Sequence, residues 1–186
     1  MTKRIGIIGA GFAGVTSAKI LRDFGFDTQV FEKDAEVGGV WTASRRYPGL
    51  TTQNVRSTYA FTDFPYPKGT PEWPSGEQVQ KYIADYCSNF KINDRIHLKT
   101  NVEHASQNSD GSWNLKVSDS NGSRDEKFDF LIVANGIFSD PNTPSFPGQD
   151  AFEAAGGKVM HSVHFNRLED VRGKNVLVVG YGKSSC

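Results

Sequence analysis

The apolar positions along the chain change period several times, and each change marks an element. Ile5, Ile7 and Ile8 form a short β-branched run of the continuous kind buried in parallel sheets. From Ala13 the spacing becomes helical, placing Ala13, Ser17, Ile20, Leu21 and Phe24 on one face, with Gly25 as a C-terminal stop. Residues 28–31 return as a strand, so the opening reads as a βαβ unit. Lys3 and Arg4 ahead of an apolar run copy the outline of a signal peptide. Gly6, Gly9, Gly11 and Gly14 interrupt that run and no cleavage pattern follows, so a cytoplasmic protein is expected.

Further along, Pro65, Pro67, Pro71 and Pro74 alternate with Tyr59, Phe61, Phe64, Tyr66 and Trp73. Prolines at this density exclude a helix or an inner strand, and the aromatics suggest an ordered loop packed on its own protein. Ser75 with Gln78 three residues later is a capping box. The helix it opens, to about Phe90, carries Val79, Ile83, Tyr86, Cys87 and Phe90 on one stripe. Cys87 therefore reads as a core filler rather than a nucleophile. Residues 97–107 and 113–118 alternate as strands joined through Asp110-Gly111, and Asn121-Gly122 begins the next turn. Residues 96–129 thus read as an antiparallel meander inserted into a parallel α/β fold. Residues 130–134 form another buried strand, ending in Asn135-Gly136.

Composition narrows the function classes. Lys plus Arg number 21 and Asp plus Glu number 21 among 186 residues, so a nucleic-acid partner is not expected. Cys87 and Cys186 are far apart and form no CxxC, which removes a disulfide framework, a zinc knuckle and dithiol reductase chemistry. Nothing approaches the ~18 apolar residues of a membrane helix. His161-x-x-His164 has no nearby Cys, Asp or Glu ligand set, so no metal site is expected.

The chemistry is concentrated at Gly9-x-Gly11-x-x-Gly14, on the strand-to-helix turn. Its glycines allow a tight turn, close approach to a pyrophosphate and close helix packing. The helix N-terminus adds N–H donors and a partial positive charge. Gly9, Gly11, Phe12, Ala13 and Gly14 are the candidate phosphate-binding residues. Glu32 ends the second strand where a carboxylate would take a ribose 2′-hydroxyl and repel a 2′-phosphate, which selects FAD or NAD. The pair Gly38-Gly39 shortly afterwards favours the longer ligand, FAD.

These residues resemble a known family. Gly9 to Gly14, Glu32-Lys33, Gly38-Gly39-Val40-Trp41, and the stretch from Tyr47-Pro48-Gly49-Leu50 through Asp63-Phe64-Pro65 are similar to the flavin-containing monooxygenases and their Baeyer–Villiger relatives. The resemblance implies a Rossmann-like FAD domain over residues 1–170 and the start of an NADPH domain over 171–186. It adds Lys33, Gly39, Val40 and Trp41 to the FAD site, turns the backbone of Val102 toward the adenine, and reads Ala134-Asn135-Gly136 as the family's Ala-Thr-Gly element with Asn in place of Thr. Phe146-x-Gly148 and His161-Ser162-x-x-Phe165 resemble the family's fingerprint with a longer spacer. Counting back from Asp63-Phe64-Pro65, the active-site amide falls on Gln53, with Asn54 beside it; either could serve near the flavin.

Shifted by 171 positions, the opening recurs: Val176, Leu177, Val178 and Val179 lead into Gly180-x-Gly182. This reads as a second buried strand and phosphate turn, assigned by resemblance to NADPH, with Lys183 and Ser184 near the pyrophosphate. The chain stops at Cys186, so a truncated product, a fragment or one piece of a split protein is expected, with self-association or a complementing chain as possible partners. By resemblance the completed protein takes NADPH, O2 and a small molecule, and oxygenates N, S or a carbonyl through a flavin C4a-(hydro)peroxide. A flavin reductase or oxidase of the same architecture, and an inactive FAD- or partner-binding fragment, stay open beside it.

Overall fold

The computed structural model describes residues 2–137, 140–180 and 182. Its centre is a parallel sheet built from β1 (Arg4–Ile8), β2 (Asp27–Phe31), β3 (Ile96–His97) and β7 (Phe130–Val133), in the order β3-β2-β1-β7. Helix α1 (Phe12–Asp23) connects β1 to β2, and α2 (Gly76–Asn89) follows the proline-rich loop. A separate antiparallel sheet, β4 (Asn101–Gln107), β5 (Trp113–Asp119) and β6 (Gly122–Phe128), is inserted between β3 and β7. The short helix α3 (Gln149–Ala154) comes after β7.

Strand alternation sends side chains to two cores. Ile5, Ile7 and Val30 join α1 and α2, through Val15, Ala18, Val79, Ile83 and others, in the larger one. Phe31 faces the other way, toward Leu115, Val117 and Phe128 of the antiparallel sheet. Gly6 lies on that second face, where an added Cβ would stand 3.0 Å from the Phe128 ring. The missing side chain lets the two sheets close.

Helix α2 matches its sequence pattern. Ser75 accepts from the Gln78 N–H at 3.2 Å and its own N–H donates to Gln78 Oε1 at 2.9 Å, completing the capping box. Val79, Ile83, Tyr86 and Cys87 are buried, as the stripe predicts, and Tyr82 joins them. Burial without a charged partner pushes the Cys87 thiol up to about 12, in keeping with a core filler. The proline-rich segment holds no helix or strand among its residues, only a bridge between Phe61 and Phe64; Tyr59, Phe61, Phe64 and Tyr66 pack on the core with α1 and α2, whereas Trp73 is exposed.

Four expectations need correction. The buried face of α1 is Gly14, Val15 and Ala18; Ala13 and Ile20 are exposed, and Phe24 is 78% exposed. Small residues win that face because the helix lies close over the sheet. The meander begins at Asn101, not 96: Ile96 and His97 pair in parallel with Val30 and Phe31, and the N–H groups of Lys99 and Thr100 go to the Asp34 and Glu32 carbonyls, turning the chain out of the sheet. β7 is not a buried strand, since Phe130 is 64% and Val133 65% exposed at the edge of the sheet. Residues 175–180 form no strand, and Val176, Leu177, Val178 and Val179 are exposed: no partner strand among the described residues supplies the ladder bonds a strand needs.

Candidate nucleotide site and adjoining cavity

The glycine turn lies at the carboxyl end of β1, where α1 starts. Gly9 has φ +98°, and a Cβ there would stand 2.6 Å from the Ala134 carbonyl oxygen. A Cβ on Gly14 would fall inside van der Waals distance of the Gly9 carbonyl. These two glycines are demanded by packing alone. Gly11 differs: its Cβ would meet only the Gly39 Cα, at an ordinary 3.7 Å. Gly11 is also the N-cap of α1 and provides no side-chain cap, so the first turn, from Phe12 and Ala13, presents N–H donors and the positive end of the helix dipole. Phe12 itself packs edge-on against Tyr59, with ring centroids 5.1 Å apart.

Glu32 is 7% exposed at the end of β2. Its Oε2 accepts from the Ala10 N–H at 2.7 Å and its Oε1 from the Asp34 N–H at 2.9 Å. A carboxylate has about four lone-pair sites, so acceptor capacity remains on both oxygens. Lys33 follows with its side chain exposed.

The second glycine pair docks directly on the first. Gly38 N–H donates to the Ala10 carbonyl at 3.0 Å, and Gly39, with φ +59°, would bring a Cβ within 3.2 Å of the Gly11 Cα. A 3-10 turn, Gly39–Trp41, then presents Val40, partly exposed, and Trp41, buried. Trp41 Nε1 donates to the Tyr59 hydroxyl at 3.2 Å. Burial holds the Tyr59 phenol above its usual range, only partly offset by that bond, so it stays neutral.

The β7 exit completes the turn's surroundings. Ala134 N–H donates to the Ile8 carbonyl at 2.8 Å, and Asn135 and Gly136 lie exposed just beyond. Val102 stands elsewhere, half-buried in β4 against the Phe31 cluster, beside a register shift in the strand pairing. Gly180 and Gly182 belong to the exposed, strandless tail, and Lys183 and Ser184 lie outside the described residues.

Beside Trp41 a cavity of about 380 Å³ opens. Val40, Trp41, Gln53 and Asn54, all singled out in the sequence, line it together, and His161 borders it from more than a hundred residues away in the chain. His161 Nδ1 accepts from the Val163 N–H at 3.2 Å, which caps a short 3-10 turn. Gly148 adopts φ +82° as the N-cap of α3 and, like Phe146 and Phe165, is absent from the cavity wall. The sequence reading missed Arg45, Tyr47, Thr52 and Tyr59 as wall residues; the only local signal was their clustering on either side of Gln53. Thr52 is 3% exposed and its hydroxyl has no hydrogen-bond partner among the described residues.

Residues 2–186 match the family described as flavin-binding monooxygenase-like. The chain is 30% identical to senecionine N-oxygenase of Tyria jacobaeae over 97% of its own length and 42% of that protein's. It is 35% identical to the 4-hydroxybenzoate brominase (decarboxylating) of Marinomonas mediterranea, covering all of this chain and 36% of the relative. Among solved structures, Tmm of Pelagibacter sp. strain HTCC7211 superposes with a TM-score of 0.86 at 27% identity, over 98% of this chain and 46% of that one. An oxidised steroid monooxygenase bound to NADP superposes at 0.69 and 26% identity, over 81% of this chain and 29% of that one. The chain therefore spans less than half the length of each of these relatives.

Proposed function

We propose that this chain, which belongs to the flavin-binding monooxygenase-like family, supplies the FAD-binding portion of an NADPH- and O2-dependent monooxygenase acting on a small molecule at N, S or a carbonyl. One observation carries the reading: Glu32, the Gly38-Gly39 pair and Ala134 all converge on the Gly9–Gly14 turn. A ligand with both a pyrophosphate and a ribose fits an uncapped helix start beside a buried carboxylate with acceptor capacity to spare, which supports the reading.

In this assignment the N–H groups of Gly11, Phe12 and Ala13 hold the pyrophosphate, and Glu32 holds the ribose. The family resemblance assigns Lys33, the Val102 backbone and the Ala134–Gly136 segment to the nucleotide end, and Gly39, Val40 and Trp41 to the other end, where Val40 and Trp41 line the cavity. FAD, when bound, supplies the redox chemistry that activates O2. The chain's own residues would orient and shield: Trp41, Tyr47, Leu50 and Tyr59 give the cavity the apolar part of its wall, which would limit water beside the reacting group. Gln53 or Asn54 provides the amide that hydrogen-bonds substrate or nicotinamide.

Residues 1–170 form the FAD unit in this reading. The tail 171–186 begins the NADPH unit, with Gly180, Gly182, Lys183 and Ser184 at its phosphate turn. The remainder would come from a longer polypeptide, a second copy or a complementing chain. Dependence on reduced dinucleotide fits a cytoplasmic location; among the described residues no helix is long and apolar enough to cross a membrane.

The test is the visible absorption of the purified chain reconstituted with FAD, before and after anaerobic NADPH. A bound flavin that NADPH bleaches supports the full assignment. A bound flavin that NADPH leaves oxidised limits the chain to FAD binding, and a colourless chain refutes the nucleotide site. In the full-length protein, NADPH oxidation that yields only hydrogen peroxide with amine, sulfide and ketone panels would establish the oxidase reading instead.

A further inference from the structure

We infer that His161 is a specificity-determining residue of the cavity beside Trp41: a neutral imidazole, held with its proton on Nε2, that recognises a carbonyl oxygen of the ligand. This deepens the preceding reading by naming the group recognised, and rests on that cavity receiving a substrate or the nicotinamide. The tautomer carries the argument. Nδ1 accepts from the Val163 N–H at 3.2 Å, so that nitrogen holds a lone pair and no proton. An imidazolium has an N–H on both nitrogens and cannot make this bond. The ring is therefore neutral, and its one proton sits on Nε2.

The mount of the ring is backbone, not another side chain. His161 is the N-cap of the Ser162–His164 turn, and His161, Ser162 and Val163 all line a cavity whose other wall residues come from 40–59. The same N–H that fixes the tautomer thus fixes the direction of the ring. Nε2, on the other side of the ring, makes no hydrogen bond among the described residues. Asp140 borders a smaller hollow of about 270 Å³ together with His161, yet no ion pair joins them among the described residues. None of the described residues of the larger cavity's wall is Asp or Glu, so no carboxylate there draws a second proton onto the ring.

A fixed donor selects by the sense of the hydrogen bond. The Thr51 and Ser162 hydroxyls rotate to donate or accept, and the Asn54 amide offers both groups, so they discriminate little. The Nε2–H edge only donates. A ketone or amide oxygen answers it, whereas a protonated amine sets N–H against N–H and leaves the donor unpaired, which selects against that ligand. A thioether sulfur is a weak acceptor and gains little. Among reactions at N, S or a carbonyl, the ring favours the carbonyl.

The carbonyl has two sources, a ketone substrate and the nicotinamide carboxamide. The experiment titrates the chain, with and without FAD, against acetophenone, nicotinamide and α-methylstyrene, the last having acetophenone's shape with a methylene in place of the oxygen. In His161→Asn the shorter amide still accepts from the Val163 N–H, as an N-cap Asn does, but the ring's donor is gone. Affinity for a carbonyl probe relative to α-methylstyrene is expected to fall about 3- to 10-fold in this variant, the loss of one neutral hydrogen bond. A fall for acetophenone alone assigns the carbonyl to a substrate, and a fall for nicotinamide alone assigns it to the cofactor. Unchanged ratios for both probes, or no binding of either, overturn the inference. Nitrogen-15 spectra of the histidine-labelled parent, assigned through the bond to the Val163 N–H, test the tautomer without any variant. A proton on Nε2 alone is expected; a proton on Nδ1 at neutral pH overturns the inference. These readings need no FAD, which keeps the two failures apart. A colourless chain whose ratio falls in His161→Asn refutes only the nucleotide site, and bound FAD with an unchanged ratio refutes only the carbonyl site.

Discussion

Glu32 and Ala10 are joined by a 2.7 Å hydrogen bond from backbone N–H to buried carboxylate, which ties the end of β2 to the middle of the glycine turn. The residue proposed to hold the ribose therefore also shapes the loop proposed to hold the phosphates. Glu32→Ala should weaken folding as well as FAD binding, by about 1.5–3 kcal/mol for a lost charged hydrogen bond in a buried site. Glu32→Gln should keep one of the two backbone bonds and cost less stability while still impairing FAD binding. Urea unfolding of the FAD-free variants, set beside FAD titrations, separates the two effects. An Ala variant as stable as the parent would show that the bond adds nothing to the loop.

The glycines of the turn should split by function. Gly14→Ala drives its Cβ into the Gly9 carbonyl, so it should destabilise the chain by about 3 kcal/mol or more even without FAD. Gly11→Ala meets only Gly39, at 3.7 Å, and should leave thermal stability within about 1 kcal/mol while abolishing FAD binding. Full FAD affinity in Gly11→Ala would argue against pyrophosphate at this helix start.

Tyr82 holds the proline-rich loop on α2. Its hydroxyl accepts from the Phe61 N–H at 2.9 Å and donates to the Phe64 carbonyl. Tyr82→Phe keeps the ring stacking on Tyr66 but leaves the Phe61 N–H without its acceptor, at a cost of about 1–3 kcal/mol. Proteolysis should then appear first between residues 60 and 75. Uniform resistance with unchanged urea midpoint would refute the role.

Alkaline pH should unfold the chain in a window set by buried neutral groups. Burial raises Cys87 from 9.0 to about 12, and burial with the nearby Asp63 charge raises Tyr86 from 10.0 to about 12. Folded values above the unfolded ones mean that the stability they contribute is complete below about pH 9 and is lost as pH rises toward 12. In urea titrations across that range, Cys87→Ala should show a shallower decline with pH than the parent, although its baseline stability is lower from the cavity it leaves. Equal slopes would show that the thiol ionises alike in the folded and unfolded states.

Most of the glycine turn's geometry is local, and so it was readable in the chain. Gly9, Gly11 and Gly14 announce a strand-to-helix turn by spacing, the Ser75 and Gln78 pair announces a helix start, and Glu32 follows at the expected interval. The misreadings came where local pattern was blind to neighbours. Residues 97–107 alternate well enough to read as one strand, yet two backbone N–H groups answer carbonyls of the β2 exit and split them between two sheets. Phe130 and Val133 look like core residues by composition, but their position at the sheet edge leaves them exposed.

By itself the sequence determined the βαβ opening, the capped helix, the meander and the family, because each depends on side-chain period, turn chemistry or motif spacing within a few residues. Only the tertiary structure decided that Gly39 rests against Gly11, that Glu32 clamps Ala10, and that Arg45, Gln53 and His161 share one wall. Those relations join segments remote along the chain, and close packing between layers, not periodicity, sets which of their atoms meet.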